Sequence, residues 1–240
     1  MKSGVVAIDG TSYVGKSTIA KCLASLMGYA YINTGHMFRS VAKLCLERGV
    51  DFGDVQGVLR LARVLEFDFR QEGPSFVTVV NGEDWSLRLD DYAIVFAASK
   101  VAVIPELREL LLEKQRRIAQ RQTVVMEGRD IGTVVFPDAR WKFFITASAE
   151  VRARRMHKMM PPDQKAAVAD YRTLIPKVLA LDEADKNRSV APLIQARDAI
   201  IYDNSDSPSE MQDALILQYY INHASEIIGN SKTLAERQAE

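Results

Sequence analysis

Gly10-Thr11-Ser12-Tyr13-Val14-Gly15-Lys16-Ser17 spells a complete G-x-x-x-x-G-K-S, with Thr18 next in line. The chemistry such a run performs is the capture of a polyphosphate. Gly10 and Gly15 permit backbone conformations closed to other residues, so successive amides can turn inward around phosphate oxygens. Lys16 adds a point charge for the outer phosphates, and a helix opening near Ser17 adds its positive end. The Ser17 hydroxyl suits one position on Mg²⁺, which otherwise keeps waters and phosphate oxygens. Gly10 to Thr18 is therefore the expected ATP cradle, with Ser17 at the metal.

A phosphate loop alone does not separate a kinase from an ATPase or a GTPase, because these differ in what presents the nucleophile. Three further segments carry charge that bears on the choice. In Tyr31-Ile32-Asn33-Thr34-Gly35-His36-Met37-Phe38-Arg39, the planar fork of Arg39 suits an acceptor phosphate. The bland alternative is a solvated helix charge. In Glu127-Gly128-Arg129-Asp130, Arg129 can clamp a phosphate and Asp130 can accept from an exocyclic amine or an arginine. The alternative there is a structural ion pair. In Asp182-Glu183-Ala184-Asp185-Lys186-Asn187-Arg188, Asp185 and Arg188 share one helical face. Taken alone they would be a surface pair worth little. Arg39, Arg129 and Arg188 together favour an acceptor that brings its own phosphate, since a simple alcohol would leave that charge unpaired.

These residues need a frame that holds them at one edge. Short apolar runs at Val5–Ile8, Tyr29–Ile32, Thr123–Met126, Trp141–Ile145 and Ala199–Tyr202 alternate with longer segments of helical period, which predicts an α/β fold. Runs this apolar suit strands covered on both faces, hence a parallel five-stranded sheet flanked by helices. Ligands in such sheets sit at the carboxyl ends of the strands. Residues 67–90 carry Gly-Pro and Asn-Gly turn signals between β-prone runs, predicting a small antiparallel insert. The basic run Val151–Lys158, stopped by Pro161-Pro162, reads as a short helical lid spanning 151–170 rather than a core helix. Residues 1–240 read as one domain, with a fraying tail over 229–240.

Lys plus Arg balance Asp plus Glu at 31 each. No global positive field exists to hold nucleic acid, and any anion site must be built locally. Cys22 and Cys45 lie in apolar-periodic stretches and read as thiols of a reduced cytosol. No apolar segment approaches the roughly 20 residues of a membrane helix. A cytoplasmic monomer acting on small molecules is expected, with neither nucleic acid nor membrane as partner. Trp85, Trp141, His36, His157, His223 and the Met156, Met159, Met160 group read as structure.

With these segments in view the chain resembles the bacterial cytidylate kinases, within the P-loop NTPase fold. The resemblance runs through IDGTSYVGKST, INTGHMFRSVA, AASKVAVIPELRELLLEKQR, GRDIGTVVFPDA and DKNRSVAPLIQARDAI. The 67–90 insert likewise is similar to that family's extra three-stranded lobe. The resemblance implies transfer of the ATP γ-phosphoryl group to CMP or dCMP, a step of pyrimidine nucleotide metabolism, with ATP and Mg²⁺ as cofactors. It implies that Ser99, Arg108 and Asp130 read cytosine, while Thr34, Arg39, Arg129, Asp185 and Arg188 gather around sugar and phosphate. Lys16, Arg129 and Arg188 would then be catalytic, with Arg154 and Arg155 brought over the transferring group by a lid. The sequence departs from the family pattern at Asn33 and Glu127, where aspartate is usual, and at Phe38, where tyrosine is. It also departs at Leu181 and Ala184, where arginines are usual; Lys177, Lys186 or a lid arginine would be the compensating charge. Two other readings compete: a P-loop kinase for another small phosphorylated acceptor such as UMP, and a nucleotide-binding regulatory protein without turnover.

Overall fold

A strand whose two faces are both covered needs apolar residues at every position, and the five runs fill that requirement. The computed structural model describes residues 4–206 and 213–223. β1 (Val5–Gly10) leads through the glycine loop into α1 (Lys16–Met27), and β2 (Ala30–Asn33) leads into α2 (Thr34–Arg48) and α3 (Val55–Arg63). β3 (Phe67–Glu72), β4 (Ser75–Val80) and β5 (Glu83–Asp84) follow, then α4 (Ser86–Leu89), α5 (Tyr92–Val101) and α6 (Pro105–Ala119). β6 (Val124–Gly128) runs into a π-helical turn, Ile131–Val135, and then β7 (Trp141–Thr146). α7 (Ala149–Met159), α8 (Pro162–Ala166), a 3₁₀ turn at Tyr171–Leu174, α9 (Ile175–Asn187) and β8 (Ile200–Asp203) complete the series. Residues 213–223 are helical.

The main sheet has the order β2-β6-β1-β7-β8, and all four pairings are parallel. Each of the five expected runs is one of its strands. Alternation along β1 divides the core: Val5 and Ala7 face α2, α3 and α6, whereas Val6 and Ile8 face α1 and the 213–223 helix. β1 is central, so its loop opens at the middle of the sheet's carboxyl edge. The chain also crosses there, since β2 and β7 lie on opposite sides of β1, and a crevice forms at such a reversal.

The expected insert is a separate antiparallel sheet of order β3-β4-β5. Its second turn has Asn81 at φ 50° and Gly82 at φ 87°, the two left-handed residues that a tight hairpin turn takes. The basic helix has an apolar side of its own, apart from the main core. α7 buries Ala153 and Met156 against Leu174 and Val178, and Arg152 is buried with them. The expected tail over 229–240 lies outside the described residues. Among the described residues, no helix is long and apolar enough to cross a membrane.

Candidate active site

The loop after β1 keeps its shape because side chains are excluded from it. A Cβ at Gly10, where φ is 149°, would meet the Ile145 carbonyl oxygen at 2.2 Å. One at Gly15, at φ 93°, would lie 2.6 Å from Asn204 Nδ2. Outside the loop, Asn204 Nδ2 and Arg155 Nη1 donate to the Val14 carbonyl at 2.7 and 3.0 Å, and Arg155 Nη2 donates to the Asn204 carbonyl at 2.9 Å. Helix α1 has no side-chain N-cap and no acidic residue in its first turn. Its leading amides and positive end therefore point at the loop's interior. Lys16 Nζ curls back to donate to the Thr11 carbonyl at 2.6 Å. Burial, then the neighbouring charge of Arg129, pushes the Lys16 ammonium down to about 7, against the pull of Glu127, Asp185 and Asp9.

That loop forms one end of a cleft of about 680 Å³. Ser12, Tyr13, Gly15, Lys16, Ser17 and Thr18 line it, while Gly10, Thr11 and Val14 do not. Thr34, Arg39, Ser99, Arg108, Arg129, Asp130, Asp185 and Arg188 line the same cleft, as does Arg155. Eight Lys and Arg side chains face it against four carboxylates, although the chain's formal charge is zero. The positive field is thus built locally, as a small polyanion requires.

Asp185 is the hub on the α9 side. Its Oδ2 accepts from Arg129 Nε at 2.6 Å and its Oδ1 from Arg188 Nη1 at 3.4 Å. Arg129 Nη2 also donates to Ser12 Oγ at 2.7 Å, tying the arginine to the phosphate loop. Burial opposes the charge on Arg129, but the carboxylates of Asp185, Glu127 and Asp182 together outweigh it and raise that guanidinium further. For Arg188, burial and then Arg108's charge win, pushing it down to about 10. Arg188 Nε donates to the Ala191 carbonyl at 2.5 Å. Its Nη2 is buried with no hydrogen-bond partner among the described residues. A buried cationic donor left unmatched is expensive, and an anionic oxygen at this point would satisfy it.

On the other wall, Arg108 Nη2 donates to Asp130 Oδ2 at 2.7 Å and Nη1 to the Ala102 carbonyl at 2.9 Å, with the guanidinium 5.2 Å from the Phe38 ring. Ser99 Oγ donates to the Phe96 carbonyl at 2.7 Å. Thr34 Oγ1 donates to the Glu127 carbonyl at 2.8 Å. Arg39 Nη1 donates to Asp90 Oδ1 at 3.0 Å and the Leu89 carbonyl at 3.3 Å. Arg39 and the Asp185–Arg188 pair are cleft residues, not solvated surface charges.

Arg154 is not brought to the cleft. Successive helical positions differ by about 100°, so with Arg155 inside, Arg154 turns outward to bond Tyr171 Oη at 3.1 Å with its side chain 63% exposed. Lys177 and Lys186 do not reach it either: Lys177 Nζ lies 4.5 Å from the Phe96 ring centroid, and Lys186 pairs with Glu183 at 3.6 Å. Leu181 and Ala184 do line the cleft, and the cations nearest in role are Arg155 and Lys158. Sequence reasoning left Lys21, Asp90, Glu127, Lys158 and Asn204 out of the site. For Glu127 a signal existed, an acid at the end of the strand beside β1. Asn204 follows β8 with no pattern to distinguish it.

Residues 6–220 match the family described as cytidylate kinase. The chain is 41% identical over 216 residues to a cytidylate kinase of Solibacter usitatus, covering 90% of this chain and 91% of that one. It is 41% identical over 201 residues to one of Citrifermentans bemidjiense, covering 84% and 85%. With one of Aliivibrio salmonicida the figure is 40% over 203 residues, covering 85% and 90%. Matched along most of its length, with the phosphate loop and the arginine-rich wall meeting in one cleft, this chain belongs to the cytidylate kinase family.

Proposed function

We propose that the chain transfers the γ-phosphoryl group of ATP to the phosphate of CMP or dCMP, giving ADP and CDP or dCDP. One observation carries the reading: the phosphate loop and the trio Arg39, Arg129 and Arg188 face a single cleft, so two polyphosphate-like groups can meet between them. Arg39, Arg129 and Arg188, with Thr34 and Asp185, are the residues assigned to the acceptor's phosphate and sugar. Ser99, Arg108 and Asp130 are assigned to its base.

The acceptor phosphate oxygen is already anionic at neutral pH, so no protein base is required. The protein's task is to align that oxygen in line with the γ-phosphorus and to stabilise charge spreading over the equatorial oxygens. Lys16 and Arg129 do the second, with Arg155 lining the same cleft. Phosphate beside Lys16 restores the charge that burial weakens. Ser17 and Glu127 would hold Mg²⁺, since hydroxyl and carboxylate oxygens are the hard donors it takes; when bound it neutralises the β- and γ-phosphates. The insert over 67–90 and the segment over 151–170 would close on the substrates and keep water from consuming ATP.

The test is a coupled assay of ADP release with CMP, dCMP and UMP. Wild type should respond to CMP and dCMP, and Lys16→Ala and Arg129→Ala should each lower the rate at least about a hundredfold. Response to UMP alone would shift the acceptor. ATP binding with no acceptor-dependent ADP would favour a regulatory protein.

A further inference from the structure

Tyr31 stands two positions before Asn33, which lines the cleft, yet its hydroxyl reaches Glu127, which lines it too. Residues 31 and 33 of β2 and residues 125 and 127 of β6 pair in parallel register. They therefore project to the same sheet face, the one covered by α1. There the Tyr31 hydroxyl donates a short hydrogen bond to Glu127 Oε1. Ser17 and Asn33 are polar neighbours of the same hydroxyl. The ring is fixed independently of that hydroxyl. It packs edge-on to Phe76 of β4, centroids 5.4 Å apart, and lies 5.6 Å beneath Lys21 Nζ of α1.

A glutamate carboxylate has three side-chain torsions, and holding it for a cation costs entropy unless something else locks it. Magnesium demands near-ideal geometry from its oxygens. Among the described residues, the Tyr31 hydroxyl is the side-chain donor on the Glu127 carboxylate. We propose that Tyr31 is a positioning residue: its hydroxyl sets the Glu127 carboxylate for a divalent cation bound with the nucleotide. The Phe76 contact also joins this residue to the insert, so the same ring carries the position of β4 to the cation site. The inference rests on the assignment of Ser17 and Glu127 to magnesium made above.

Tyr31→Phe tests it, because the ring contacts survive while the hydroxyl goes. ADP binding to the full chain is measured by titration calorimetry, with EDTA and again with saturating Mg²⁺. Wild type should bind more tightly with the metal. In Tyr31→Phe the metal-free affinity should stay within about twofold of wild type, while the gain from Mg²⁺ falls about tenfold, the scale of one hydrogen bond to a charged group. Glu127→Gln should lose a similar gain, and Tyr31→Phe in that background should lose no more. A Tyr31→Phe protein with an undiminished Mg²⁺ gain overturns the inference and leaves the cation assignment standing, as does an additive double variant. Equal loss with and without metal marks a packing role and overturns it too. If wild type itself gains nothing from Mg²⁺, the assignment of Ser17 and Glu127 fails, and this inference fails with it.

Discussion

The Asp182 carboxylate receives both terminal nitrogens of Arg152, Nη1 at 2.8 Å and Nη2 at 2.6 Å, with each side chain only 6% exposed. Arg152 Nη1 also reaches the Ser12 carbonyl at 3.4 Å. One buried pair thus joins α7, α9 and the phosphate loop behind the cleft. Its energetic meaning is asymmetric. Two charges removed from water roughly offset their own attraction, but one left alone does not. Asp182→Ala should lower unfolding stability by about 3–5 kcal/mol, whereas Arg152→Met combined with Asp182→Leu should recover most of it. Urea unfolding of the three proteins checks this. A small loss in Asp182→Ala would mean that water reaches Arg152.

How much of this was legible in the sequence depends on where each partner lies. The five strands were legible because a doubly covered strand must be apolar throughout, and the 81–82 turn because two left-handed positions in a row select asparagine and glycine. The π-helical turn was not. Ile131-Gly132-Thr133-Val134-Val135 has β-like composition, and the groups that hold its opening amides belong to Asp9, more than a hundred positions away in the chain. Arg152, Arg154 and Arg155 are one residue type within four positions, yet one is buried, one exposed and one at the loop. Residue type could not separate them; helical phase together with Asp182 on α9 does.

Asp9 sets a pH dependence. Its two oxygens accept from the Ile131 and Gly132 amides at 2.8 and 2.7 Å. Burial, assisted by Asp130's charge, pushes its carboxyl up to about 6 against those two bonds. The ordinary value is near 3.8, so between about pH 4 and 6 the folded chain holds a proton that the unfolded chain has released. Stability from this group is full below about pH 4 and is lost as pH rises through 6. Two units correspond to about 3 kcal/mol. The stability advantage of wild type over Asp9→Asn should therefore shrink by about 2–3 kcal/mol from pH 4 to pH 7, read by urea unfolding at each pH. A difference that is constant with pH would mean that the loop amides hold the carboxylate as strongly as burial opposes it.

Leu181, like Ala184, is a departure from the family pattern that lies inside the cleft. It precedes Asp185 by one helical turn, so a guanidinium at that position would share the face from which Asp185 holds Arg129 and Arg188. Lys177 and Lys186 are engaged elsewhere, so neither replaces the charge that the cleft lacks at Leu181 and Ala184. Leu181→Arg should lower the KM for CMP about ten- to a hundredfold, the worth of one charge-assisted hydrogen bond. Because that bond forms equally in ground and transition states, kcat should change by less than about threefold. Steady-state kinetics with CMP and dCMP measure both constants. A raised KM would show that the leucine's apolar surface is itself part of the acceptor pocket, with Arg155 and Lys158 carrying the charge that α9 lacks.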